Sequence, residues 1–188
     1  MNFTAIKRVA KQSLTEDGYN LFIYINSKLP NIWDRYSSST MKYHKRPDGS
    51  VPTIAEHTFE MLYSAIRIIS MWGNQTISKQ NDVFLLSIIF HDMLKYGKTG
   101  KNPHTTKNHD QEMANLFLKN KKIFLKHFNE EEFALFIACI RYHSGRWSPD
   151  AKGHKDVLHN LPIECVLVHV FDMLSTKNCL FAASFTGE

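Results

Sequence analysis

Cysteine is scarce in this chain. Cys139, Cys165 and Cys179 are the only three in 188 residues. All lie in or beside apolar stretches, and none forms a C-x-x-C pair. An odd count without a framework excludes a disulfide scaffold and predicts reduced, packed thiols in a cytoplasmic protein. Long apolar runs are missing too. None approaches the ~20 residues needed to span a bilayer, so no membrane association is expected. The segment from Met1 to Arg8 carries no hydrophobic core or cleavage signature of a signal peptide. Gly97, Gly100, Gly145 and Gly153 fall in polar loops, without the pattern of a phosphate-cradling P-loop or a dinucleotide turn. No internal repeat, low-complexity tract or alternating strand pattern is present.

What remains is ordinary in bulk and helical in rhythm. Hydrophobic residues make up 43% and charged residues 22% of the chain, which excludes global disorder. The net charge is +5, a balance that suits anionic substrates such as nucleotides or nucleic acid and equally a solubilising excess of lysine. Helices are predicted near 2–13, 15–28, 53–72, 82–94, 109–120, 130–142 and 162–178. Pro30 ends the second, Thr53 and Glu56 form a capping box for the third, and Gly73-Asn74 stops it. Loops are predicted over 34–52, 96–108 and 144–161. The fold class is all-α: one domain over 1–188, with N-terminal helices 1–30 packed on a core of about 50–178.

The chemistry is concentrated at a few histidines and aspartates. The apolar run 84–90 delivers His91 and Asp92 together to one point. A buried carboxylate there needs a counter-charge, which a divalent metal would supply. His57 precedes this pair on the capped helix; His109, His143 and Asp172 follow it. Helices packed antiparallel bring residues so far apart in sequence to one face of a bundle. A mixed imidazole and carboxylate set suits Mn, Fe, Co, Ni or Zn, with Mg as a further option, and one or two ions.

In order and spacing these residues resemble the H…HD…D signature of the HD-domain superfamily of metal-dependent phosphohydrolases. Lys95 stands where many members have the lysine of an H-D-x-x-K run. His109 and His143 match the wider pattern of two-metal members. The stretch from Arg141 through Asp172 is also similar to HD-type 3′→5′ exoribonucleases. Two departures are Met93-Leu94, where Ile-Gly or Leu-Gly is frequent, and Ser144-Gly145, where several relatives have a second histidine. The resemblance implies that His57, His91, Asp92 and Asp172 hold a first ion. It places a second on His109 and His143, with Asp92 bridging.

The expected function is hydrolysis of a phosphoric ester or anhydride of a nucleotide-like substrate. The leaning is toward a small nucleotide such as a (deoxy)nucleoside triphosphate or monophosphate. Asp92 and Lys95 would be the catalytic pair, and Lys95, Arg146 and Trp147 would contact substrate through charge and base stacking. One alternative is a cyclic-dinucleotide or short-oligonucleotide phosphodiesterase, or a 3′→5′ exonuclease. Another, from a different class, is a catalytically silent nucleotide-binding HD protein. Homo-oligomerisation stays open. More ordinary readings stand beside these. His109 also reads as an exposed helix start behind Asn108, His143 as a cation at a helix C-terminus, and Lys95 as a solvated lysine. His169, one turn before Asp172, reads as packing, with support of the ligands as the alternative.

Overall fold

In the computed structural model, residues 3–38, 45–46, 48–71, 77–145, 148 and 157–176 are described. Among them the protein is all-helical, with eight α-helices and no strand: α1 (Phe3–Ser13), α2 (Glu16–Asn26), α3 (Ile54–Met71), α4 (Lys79–Phe90), α5 (His109–Lys119), α6 (Lys121–Phe124), α7 (Glu130–Tyr142) and α8 (Ile163–Thr176). A 3-10 turn, Val157–Asn160, precedes α8. The predicted stop at Gly73-Asn74 lies outside the described residues, as do Gly153 and Cys179.

Local chemistry explains where these helices begin. Thr15 caps α2 by accepting from the Gly18 amide, and Ser78 caps α4 by accepting from Asn81. This cap starts α4 three residues earlier than the periodicity predicts. Glu56 Oε2 accepts from the Thr53 amide at 2.8 Å, and Thr53 Oγ1 accepts from the Glu56 amide at 3.2 Å, closing the expected capping box. Asn129 and Glu132 form a second box at the start of α7. Such caps satisfy amides that have no partner inside the helix.

The first turn of α3 is also held from outside. The Ile54 amide donates to the Arg35 carbonyl and the Ala55 amide to the Trp33 carbonyl. An isolated antiparallel bridge joins Tyr36 and Thr53. The predicted loop thus contains a backbone clamp that fixes the turn bearing His57.

The core forms around α4, whose residues from 82 to 90 are all buried. A helix apolar on every side has to be surrounded, and α2, α3, α7 and α8 pack against it. Phe90 meets Phe22 and Phe117, while Phe84 meets Phe171. Phe117, Phe124, Phe133 and Phe136 continue the aromatic cluster beneath α5–α7. Each such ring stabilises the fold by about 1.5–3 kcal/mol through burial.

Expected antiparallel packing does not hold for α7 and α8. Cys139 touches Cys165, and one turn later the His143 carbonyl touches His169. Both contacts advance together, so the two helices run in the same direction where they meet.

Candidate metal centre

The α-helical hydrogen bonding of α4 ends at Phe90, short of the predicted Leu94, and the chain continues as a tight turn over residues 91–96. Within it Met93 N–H bonds to Phe90 O, Lys95 N–H to Asp92 O and Gly97 N–H to Leu94 O. Gly97 closes the turn at φ 73°, a left-handed conformation that favours glycine. His91 and Asp92 are thereby delivered at the buried end of the core helix, at 0% and 1% exposure.

Five further side chains reach the same place. His57 comes from α3, His109 from the first position of α5, His143 from the end of α7 and Asp172 from α8, while Lys95 lies on the turn itself. His57 Nε2 lies 3.2 Å from His91 Nε2, 3.2 Å from Asp172 Oδ1 and 3.8 Å from Asp92 Oδ2. His91 Nε2 lies 3.4 Å from Asp92 Oδ2. On the other side, Asp92 Oδ1 is 3.0 Å from His109 Nε2 and 3.6 Å from His143 Nε2. Those two imidazoles stand 3.1 Å apart.

The opposite ring nitrogens determine what these Nε2 atoms can be. His91 Nδ1 is 2.7 Å from Ile88 O, His109 Nδ1 2.9 Å from Thr106 O, and His143 Nδ1 2.7 Å from Ile140 O. A carbonyl only accepts, so each Nδ1 carries a proton, and each ring in its neutral form points a bare Nε2 lone pair inward. His57 Nδ1 bonds instead to Ser175 Oγ at 2.8 Å. Lone pairs facing lone pairs and carboxylate oxygens are repulsive unless a cation lies between them. Asp92 Oδ1, moreover, is buried without a hydrogen-bond partner.

The donor set fits a divalent ion. Donors ~2.1 Å from one ion lie ~3.0 Å apart at right angles and ~3.4 Å apart at the tetrahedral angle, and the separations above bracket those values. Two groups of ligand atoms emerge, one from His57, His91 and Asp92 and the other from Asp92, His109 and His143. Asp172 joins the first through His57. Asp92 belongs to both, with one oxygen facing each group.

Electrostatics agree with a cation-seeking cavity. Burial opposes ionisation of Asp92, yet Lys95 foremost, with His91, holds its carboxyl well below the usual range. Burial likewise opposes ionisation of Asp172, but His57 and His91 outweigh it and pull its pKa down. His91 is shifted up despite its burial, because Asp92 and Asp172 favour a positive charge there. His143 is shifted down, chiefly by burial, which keeps its ring neutral. Lys95 remains charged against desolvation because Asp92 lies at 2.5 Å.

Lys95 is not a freely solvated lysine, since its side chain is 12% exposed and paired with Asp92. His109 does begin a helix, but Asn108 makes no side-chain cap, and the imidazole faces Asp92. His143 ends α7 and is buried. His169 supports the site: its Nδ1 donates to the His143 carbonyl at 2.7 Å. Arg146 and Trp147 lie outside the described residues. Lys98, Lys101 and Lys107 are exposed on the loop after the turn. That loop is pinned, with Arg35 donating to the Gly100 and Asn102 carbonyls and lying over the Tyr96 ring.

Two residues near the site were not singled out by sequence reasoning. Ser175 bonds both His57 and Glu60, and Glu60 pairs with Arg46. Their signal is spacing: Glu60 follows His57 by three and Ser175 follows Asp172 by three, each on one helix face. Cys139 and Cys165 are buried free thiols, as expected. Their mutual hydrogen bond and burial push the Cys139 pKa well up, away from reactivity.

No described helix is long and apolar enough to cross a membrane. The helical arrangement and its buried His/Asp cluster, able to hold a metal ion, are compatible with an HD-type fold. No family model matches the chain, and no match is found among curated proteins or solved structures.

Proposed function

We propose that this protein is an HD-type, metal-dependent phosphohydrolase acting on a phosphoric ester or anhydride of a nucleotide-like substrate. The observation that carries the reading is the division of the Asp92 carboxylate between two groups of inward-facing imidazoles. His57, His91, Asp92 and Asp172 would hold one divalent ion, and Asp92, His109 and His143 a second, drawn from Mn, Fe, Co, Ni, Zn or Mg. When bound, such ions supply Lewis-acid polarisation of a phosphoryl oxygen and water of lowered pKa.

The chain's own residues supply the rest. Asp172, Lys95 and His109 are the partly exposed members of the cluster, at 15%, 12% and 12%, so they define the side from which an anionic substrate approaches. Lys95 Nζ is held by Asp92 beside that opening. It can turn an N–H toward a phosphoryl oxygen and stabilise the charge that grows there. Without ions the buried carboxylates would repel an anionic substrate, so substrate binding is coupled to ion loading.

A screen for released phosphate, polyphosphate or nucleoside monophosphate tests this reading. It covers deoxynucleoside triphosphates, nucleoside monophosphates, cyclic dinucleotides and short oligonucleotides, each with Mn, Co, Ni, Zn or Mg. Metal-dependent turnover that disappears in His91→Ala and Asp92→Ala supports it. Turnover that survives both substitutions refutes the site. Stoichiometric metal uptake with no turnover on any substrate favours a binding protein.

A further inference from the structure

We infer that Ser175 and Glu60 form a positioning relay that selects the ring tautomer of His57 and thereby makes it a metal ligand. This rests on the metal reading of the cluster above. Three of the four imidazoles obtain their tautomer from a backbone carbonyl, which no side-chain substitution can reverse. His57 faces a hydroxyl, which can accept or donate. Its tautomer therefore depends on what the hydroxyl does with its own proton.

Glu60 decides this. Ser175 Oγ lies 2.9 Å from Glu60 Oε2, and an ionised carboxylate only accepts. The hydroxyl proton goes to Glu60, leaving the Ser175 oxygen to accept from His57 Nδ1–H at 2.8 Å. His57 Nε2 is then bare toward His91 and Asp172. Arg46 completes the chain: its Nη2 donates to Glu60 Oε1 at 3.0 Å and its Nη1 lies 3.6 Å from Glu56 Oε1. The relay crosses between helices, with His57 and Glu60 on α3 and Ser175 on α8 beside Asp172.

Glu60→Gln is nearly isosteric and has a directional outcome. Arg46 can only donate, so the amide oxygen turns toward it and the amide N–H faces Ser175. The hydroxyl then donates to His57 Nδ1, and the ring proton moves to Nε2, where an ion would bind. Supporting groups of this kind typically alter metal affinity by about 10–100-fold.

The test has two readouts. In metal-free protein, nitrogen-15 NMR of the imidazoles should place the His57 proton on Nδ1 in the wild type and on Nε2 in Glu60→Gln. Competition titration with Co or Zn should show one of two ions bound about 10–100-fold more weakly in Glu60→Gln and Ser175→Ala. The ion at His109 and His143 should be unaffected, and Ser175→Thr, which keeps the hydroxyl, should retain both. If Ser175→Ala loses its helical circular dichroism, Glu60→Gln carries the test alone. An unchanged tautomer in Glu60→Gln, or equal weakening of both ions, overturns the relay. If the wild type takes up no divalent ion, the metal reading fails, while the NMR comparison still judges the relay.

Discussion

Lys95 Nζ lies 2.5 Å from Asp92 Oδ2, three residues along the turn that follows the core helix. The pair places a fixed positive charge against the carboxylate shared by both ligand groups. In metal-free protein, Lys95→Met leaves that carboxylate without its nearest counter-charge. Breaking a buried pair from one side costs about 3 kcal/mol. The urea midpoint should fall accordingly, and saturating divalent ion should recover part of the loss. Phosphate release should drop about 100-fold. An unchanged midpoint without metal would remove the pair from the account of stability.

Asp92 is the only residue common to both ligand groups among the described residues. Asp92→Asn should abolish uptake of both ions, whereas His109→Ala should abolish one. Elemental analysis after dialysis distinguishes these outcomes. Equal losses in the two variants would contradict a shared carboxylate.

Ion binding to the folded state alone raises its stability. At a free ion concentration 100 times Kd the gain is about 2.7 kcal/mol. For a chain of this size that corresponds to a rise in Tm of about 5–10 °C. A chelator should reverse it, and Asp92→Asn should show neither the rise nor the reversal.

Gly145 adopts φ 58° directly after α7, and a Cβ built there would collide with the ring of His169. Gly145→Ala therefore combines a left-handed backbone penalty with displacement of the ring that holds the His143 carbonyl. Destabilisation of about 1–3 kcal/mol is expected in denaturant unfolding, with weaker binding of the ion on the His143 side. His57-side binding should change less.

Away from the site, Asp82 is buried in the first turn of α4 and accepts hydrogen bonds from the Thr15 amide and hydroxyl. Burial raises its pKa; the Thr15 bonds and Lys79 oppose the shift, and Asp17 adds to it. A carboxyl with a raised folded pKa contributes its stability fully below the unfolded value of about 3.9. That contribution is lost as pH rises through the folded value. Asp82→Asn, which carries no charge, should gain relative to wild type as pH increases through this window. Paired urea titrations at acidic and neutral pH measure the difference, and a gain in the opposite direction would contradict the shift.

The helices and the cluster were largely legible because each depends on short-range pattern. The apolar stretch before His91-Asp92 could only be buried, and an acidic residue at its end required compensation. Thr53 and Glu56 announced the start of α3 through local chemistry alone. Ser78 was missed because a capping serine outside the apolar stretch leaves no periodic trace. The common direction of α7 and α8 was invisible, since it depends on how the chain returns before α8. Ser175 and Glu60 escaped for a related reason: neither belongs to the His and Asp pattern that marked the ligands. Their role exists only once α3 and α8 lie side by side.

His91, His109 and His143 each bond to a carbonyl three residues earlier in their own turn. These rings are aimed by local geometry. His57 differs, since its outward partner and its neighbouring carboxylate both arrive with the final described helix. Three of the four rings are thus aimed within their own turns, and the fourth is held by the last described helix. Any motion that lifts that helix would loosen the His57 side directly and would also withdraw His169 from the His143 carbonyl.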